Sequence, residues 1–476
     1  MEKEKSDGIK QNIIYSIGYQ ILILVIPLLT APYTSRVLGA DNTGIYSYTQ
    51  AFANYFVLFA MLGVSNYGNR SIARVRDERK ELSRVFWEIF DFQLLMTGVM
   101  SVLYLGYVFT AVTSNRIIYL LQFLYVLSAA FDISWFFFGI EKFKITVTRN
   151  AVIKILNAVA VFIFVKEKTD LPIYTFIMTV SILVNQLVIW PFLPKFVEFT
   201  KVTWKGIVRH IKPNLVLFIP VIAISLYNIM DKLMLGYFST EAEVGFYSNA
   251  EKIAQIPNSV ILATGTVLMP RISNLVATGQ EKKGTELFEK SFRIILLSSV
   301  LFAFGLGCVA NTFAPWFYGE EFKKCGIYIL WLCPTILFKS AAGAIRTQVI
   351  IPKGKDNVYI ISVIVGAVVN VIANILLIPV YEGLGAVIGT VFAEGAVCLI
   401  QIIMTRKDVN YGNFKADFMV SMTAGVVMGL AITQIAFVNG VLQMVIKTIA
   451  GGIIYIMLVA LYYAILRKRG RNNVEA

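Results

Sequence analysis

"SRVLGADNTGIYSYTQ" (Ser35 to Gln50) nearly recurs as "DKLMLGYFSTEAEVGFYSNAE" (Asp231 to Glu251). Both read Leu-Gly, a short polar interval, Gly, any residue, Tyr-Ser, with an interval of four residues in the first copy and eight in the second. Gly44, Tyr46, Ser47 and Arg70 map onto Gly245, Tyr247, Ser248 and Arg271 at a constant offset of 201. Each copy joins two long apolar runs. A turn that recurs at one offset between such runs marks a duplicated bundle. Parallel repeats of this kind build two similar halves with a pathway between them.

The rest of the chain agrees with a membrane setting. Of 476 residues, 57% are hydrophobic and 15% charged, with a mean hydropathy of +0.70. A soluble domain carries about 25% charged residues. The apolar residues lie in blocks of roughly 20, the length at which a helix crosses a hydrocarbon core of about 30 Å. Fourteen such windows run from 11–36 and 44–68 to 417–437 and 441–466, the start being a retained first span rather than a secretory leader. The expected fold is therefore an all-α polytopic membrane protein of 14 transmembrane helices. It has two pseudo-symmetric six-helix lobes, residues 1–200 and 201–410, and two additional C-terminal spans with a basic tail, residues 411–476.

The net charge of +14 looks like a nucleic-acid signal until it is placed. With the N-terminus in the cytoplasm, 31 of the 43 Lys and Arg fall on the cytoplasmic side, 6 outside and 6 within spans. That asymmetry is the positive-inside signal. It puts both termini in the cytoplasm and requires an even number of spans. Topology and attraction to anionic membrane lipids account for the charge, so no nucleic-acid partner is called for.

A charge inside a span costs free energy unless it meets water, a partner or a ligand. The candidates in the first lobe are Glu88, Asp91, Asp132 and Lys154. In the second they are Asp231, Lys232, Glu251, Lys252, Lys339, Arg346, Glu394 and Lys447. The cations suit a diphosphate headgroup, since Lys offers a point charge and Arg a bidentate fork. Glu88, Arg346 and Lys447 lie near span boundaries, where long side chains snorkel. Asp231 and Lys232 read as a gate or structural pair at the outer rim. Asp91, Asp132 and Glu394 either neutralise the lysines or take up coupling protons. Asn54, Tyr55, Asn66, Tyr67, Tyr227 and Asn228 could supply sugar contacts. Pro27 and Pro220 read as bends, and Gly385 and Gly389 as a close helix contact.

Other chemistry is poorly provided for. The single histidine, His210, reads as a plain surface residue and leaves no material for a His-based triad or metal site. "GQEKKGT" (Gly279 to Thr285) lacks the Lys before Thr of a phosphate loop and follows no strand. The four cysteines make no Cys-x-x-Cys pair. No outer segment is long enough for a catalytic domain, so no enzymatic activity and no cofactor are expected.

"TSRVLGADNTGIYSYTQAF", "GVSNYGNRSIARVRD", "NIMDKLMLGYFSTEAEVGFYSNAEKI" and "VLMPRISNL" resemble the Wzx-like lipid-linked oligosaccharide flippases of polysaccharide biosynthesis. That group lies within the multidrug/oligosaccharidyl-lipid/polysaccharide exporter superfamily. The resemblance runs along nearly the whole chain. It implies a bacterial cytoplasmic-membrane flippase whose cargo is an undecaprenyl-diphosphate-linked oligosaccharide, moved by alternating access. The partner machinery would be a polysaccharide polymerase, and the drive an H+ or Na+ gradient. It also adds Arg36 to the cavity cations Lys154, Lys232, Lys252, Lys339 and Arg346. Asp91, Asp132, Asp231, Glu251 and Glu394 form the compensating or ion-coupling set. A multidrug/cation antiporter of the same superfamily is the alternative; it expects a cavity dominated by carboxylates and aromatics.

Overall fold

The computed structural model describes residues 2–435 and 440–472. Within them, the side chains of 2–24, 219–220, 223, 226–228, 264, 266–267 and 467–472 lie outside the described part, which takes in Pro220, Tyr227 and Asn228. The chain divides into two compact units, Met1–Ser225 and Leu226–Ala476.

Unit 1 starts with α1 (Glu2–Met61), which holds the first repeated turn in its middle. Gly39 breaks the helix there, at φ 80° and ψ 177°, a conformation for which a side chain has little room. Pro27 and Pro32 lie within the helical stretch before that break. Then come α2 (Val64–Val75), α3 (Arg79–Thr110), α4 (Arg116–Phe131), α5 (Ser134–Gly139), α6 (Phe143–Phe164), α7 (Leu171–Leu187) and α8 (Trp204–Val208). The first half of α9 (Ile211–Phe238) completes the unit. Its core gathers Phe86, Ile89 and Phe92 of α3 with Trp135, Phe136 and Phe137 of α5. Trp135 lies against Gly68, where an added Cβ would come within 2.5 Å of the indole. Its Nε1 donates to Gln93 Oε1 at 2.9 Å, so the buried ring keeps a polar partner.

Unit 2 holds the rest of α9, then α10 (Glu241–Ala277), α11 (Glu281–Tyr318), α12 (Lys323–Ile345), α13 (Asp356–Tyr381), α14 (Gly383–Thr405), α15 (Lys415–Thr433) and α16 (Val441–Asn472). The second repeated turn is made differently from the first. Gly236 stays helical, and the break comes at Thr240, whose hydroxyl accepts from Glu243 N at 3.3 Å and caps α10. The four extra residues of the second interval hold that cap. Tyr46 and Tyr247 are both buried after their turns. The α13–α14 contact is close: a Cβ on Gly385 would strike the Leu377 carbonyl, and one on Gly389 the Asn374 amide. This is the tight packing expected of small residues four apart. Phe288, Phe292, Ile336, Ile345 and Phe414 form the main core.

Among the described residues all regular structure is helical. Ten segments are long and apolar enough to cross a membrane, and eleven if the bent pair Glu241–Ala263 and Leu268–Ala277 counts as one span. The chain is a polytopic membrane protein. The expected windows at 11–36, 44–68 and 213–237 fall on α1, α2 and α9 but outside that count, so fourteen remains an expectation.

Candidate functional site

Six of the charges singled out in the sequence lie in unit 2 on four of its helices: Asp231 and Lys232 on α9, Glu251 and Lys252 on α10, Lys339 on α12 and Glu394 on α14. Lys232 Nζ is 3.0 Å from Glu251 Oε2, and Lys339 Nζ is 3.2 Å from Glu394 Oε1. The charges of Lys232, Lys339 and Lys252 all act on Glu251. Asp231 and Lys232 are therefore not partners of each other. Asp231 is 1% exposed and is ringed by neutral donors. Its Oδ2 accepts from Tyr247 OH at 2.6 Å and Thr390 Oγ1 at 2.8 Å, and its Oδ1 accepts from Asn374 Nδ2 at 2.6 Å. Such bonds are what allow a carboxylate to stay in an interior.

Lys252 stands apart from the paired lysines. Its ammonium donates to Asn249 Oδ1 at 3.3 Å and makes no ion pair among the described residues. It is also exposed. Around the cluster, Ser248 Oγ, Asn249 Nδ2 and Asn374 Oδ1 are buried without a hydrogen-bond partner. Buried polar atoms in native proteins are seldom left unpaired. A cation with no carboxylate within ion-pair distance among the described residues, beside the half-satisfied amide of Asn249, is suited to an anion that brings its own hydrogen-bonding groups.

The remaining candidates scatter. In unit 1, Lys154 is half-buried on α6 and Asp91 half-buried on α3, neither with a hydrogen bond or ion pair among the described residues. Asp132 follows α4, and its Oδ1 accepts from Ser134 N, the first residue of α5, at 2.9 Å. Arg36 is exposed on α1 shortly before the Gly39 break. Arg346 opens a π-turn, Arg346–Ile350, and its guanidinium donates to Tyr359 OH at 3.0 Å and lies over that ring. Asn54 accepts from Tyr125 OH at 2.8 Å.

Two readings need correcting. His210 is buried rather than at the surface. Its Nδ1 meets Tyr67 OH at 2.7 Å and its Nε2 meets Glu88 Oε2 at 3.0 Å, while Arg209 pairs with the same carboxylate. Glu88 is accordingly not a snorkelling residue but the centre of a buried knot tying α3 to α8 and α9. The sequence reading also passed over Glu243, which holds Lys324, Tyr328 and the Gly383 N–H together. Asn370 and Asn374 were missed too. Their signal is visible in hindsight: two amides four apart in an otherwise apolar run share one helical face.

Multi-pass helical units with charges in their interior define a polytopic membrane protein, and known proteins narrow it. The family model described as "Polysaccharide biosynthesis protein" matches residues 9–276. The chain belongs to that family. It is similar to the "Putative O-antigen transporter" of Escherichia coli (strain K12), with 24% identity over 407 residues, 84% of this chain and 97% of that one. It is also similar to the "Lipid II flippase MurJ" of Bacillus subtilis (strain 168), with 23% identity over 234 residues, 46% of this chain and 43% of that one. Among solved structures, "Lipid II flippase MurJ, inward closed conformation" superposes with a TM-score of 0.76 at 16% identity, covering 95% of this chain and 98% of the other. A "multidrug resistance MATE family transporter of the MOP superfamily", in an inward-facing conformation, gives 0.63 at 14% identity, covering 84% and 96%. These two likenesses establish a shared fold.

Proposed function

We propose that the protein is a flippase for a lipid-linked oligosaccharide, carrying the repeat unit of a cell-surface polysaccharide across the bacterial cytoplasmic membrane. The cargo of this proposal is an undecaprenyl-diphosphate-linked oligosaccharide. The observation that carries it is Lys252: an exposed ammonium near charge-paired lysines, donating to Asn249, whose amide nitrogen is buried without a partner. A diphosphate takes the cation, and sugar hydroxyls take the amides. Names borne by relatives, transporters and flippases, support the same reading.

In the mechanism proposed, the two units expose the charged interior to one face of the membrane and then the other, while the polyprenyl tail stays in lipid. Glu251 and Glu394 hold Lys232 and Lys339, so an arriving diphosphate competes with carboxylates for them. Asp231, Glu251 and Glu394 are the groups assigned to coupling with an H+ or Na+ gradient, without ATP. Both termini face the cytoplasm, and the polysaccharide polymerase receives the product.

Reconstitution tests this. Proteoliposomes containing a fluorescent polyprenyl-diphosphate oligosaccharide should show leaflet transfer, read by an impermeant quencher, without nucleotide and without a change in cargo mass. Absence of transfer under imposed proton and sodium gradients would sink the proposal. So would export of organic cations with the glycolipid left in place, which is the antiporter outcome.

A further inference from the structure

Unit 1 holds a cleft that the transport reading leaves unused. It opens between α6 and the end of α7 with the following turn, and encloses about 390 Å³. Val152, Ile153, Val188 and Phe192 make its walls, and Lys144, Thr148 and Arg149 its rim. Four-residue spacing along α6 sets Lys144, Thr148 and Val152 in one row and Ile145, Arg149 and Ile153 in the next. The cleft is therefore graded, basic at the start of α6 and apolar further along. A third cation joins it, since Lys195 Nζ stands 5.8 Å from the centre of the Phe192 ring.

Two observations set its depth. Val152, Val188 and Phe192 are 49%, 42% and 38% exposed, which on spanning helices is contact with hydrocarbon. Trp190, beside the cleft, donates Nε1 to Phe131 O at 3.0 Å. Trp at a helix end beside basic residues is the pattern of a membrane–water boundary. The charge asymmetry makes this the cytoplasmic boundary.

We propose that this cleft binds one acidic phospholipid of the cytoplasmic leaflet. The phosphate lies between Lys144 and Lys195, and the acyl chains run along Val152, Ile153 and Val188. Lys144 and Lys195, both exposed, select an anionic headgroup over a zwitterionic one, as basic pockets between spanning helices do, while Arg149 is buried behind them and donates to Asn150 and Ser134. The apolar wall selects a lipid over a free phosphate. The lipid-linked sugar is a poor fit, because Thr148 is the one neutral polar side chain lining the cleft. This assignment stands whether or not the protein moves cargo.

The test is native mass spectrometry of the full-length protein released from nanodiscs of phosphatidylglycerol mixed with phosphatidylcholine. Two cations at about 1 kcal/mol each correspond to roughly a thirtyfold preference. Wild type should retain phosphatidylglycerol by about that factor. K144A/K195A, which alters the rim without touching the buried Arg149, should fall to within about twofold, with an unchanged size-exclusion profile. V188W, which fills the wall, should lose the adduct while keeping all three charges. Equal retention of both lipids by wild type, or an undiminished preference in both variants, overturns the assignment. Displacement of phosphatidylglycerol by a polyprenyl diphosphate, abolished in K144A/K195A, also overturns it and makes the cleft a cargo entry.

Discussion

Lys252 and Lys339 look alike in the sequence and differ in the structure, so their removal should differ too. Lys339 neutralises Glu394, which is 4% exposed on its side chain. Taking one partner from such a pair leaves a buried charge and costs ~3–5 kcal/mol. Lys339→Ala should therefore lower the melting temperature of the purified protein, and Lys339→Ala/Glu394→Ala should recover most of the loss. Lys252 has no carboxylate within ion-pair distance among the described residues, so Lys252→Ala should melt with wild type and still lose translocation. Full transport by Lys252→Ala would remove the main support for a cargo cation there. These ionic positions were legible because a charge in an apolar block stands out on its own. Their partners were not, because pairing depends on which helices meet: Lys232 chose Glu251 over the adjacent Asp231, and Asp231 found Tyr247, Thr390 and Asn374.

The short elements between spans carry the strongest local constraints. Gly63 caps α2 at φ 84°, and a Cβ there would come 2.9 Å from the Asn214 carbonyl on α9. Gly63→Ala should cost ~1–2 kcal/mol from the backbone alone. Gly98, mid-α3 with nothing within 4 Å of an added Cβ, should accept Ala with no loss. Equal melting of the two variants would refute this account of the α2–α9 contact. A few residues on, His210 is held below the ordinary histidine pKa, chiefly by burial with a contribution from the Arg209 charge, against the hydrogen bond and charge of Glu88. A histidine favoured as neutral in the fold stabilises fully above its unfolded pKa of about 6.5, and that contribution is lost as pH falls below it. Wild type should then lose melting temperature between about pH 7 and 5.5 more steeply than His210→Asn. Parallel curves would mean that the Tyr67–His210–Glu88 knot does not titrate in this window. No sequence signal announced the knot, because a lone His among basic residues has the composition of a solvated loop.

At the scale of the whole chain, the apolar blocks and the repeated turn carried most of the architecture. Blocks of about 20 apolar residues must become spanning helices, because lipid leaves backbone groups no other partners. The repeat located the start of the helices in each unit, although its two copies break at different residues, Gly39 and Thr240. Harder to see were α2, α5 and α8, pieces of 12, 6 and 5 residues. Packing rather than periodicity makes these, as when Trp135 seats on Gly68. The side of the membrane on which each connector lies rests on charge alone, and that is open to direct measurement. Of the Lys and Arg, 31 fall on one side and 6 on the other, so inverting the chain would move most of its cations across the bilayer. Thr113, exposed between α3 and α4, belongs to the poor side, and Lys282, exposed at the start of α11, to the rich one. In a Cys308→Ala background, with the buried Cys325, Cys333 and Cys398 left in place, an impermeant maleimide on intact cells should label Thr113→Cys. Lys282→Cys should react only after lysis. The reverse pattern would invert the map and move the lipid cleft of unit 1 to the outer leaflet, where the same nanodisc experiment would still find it.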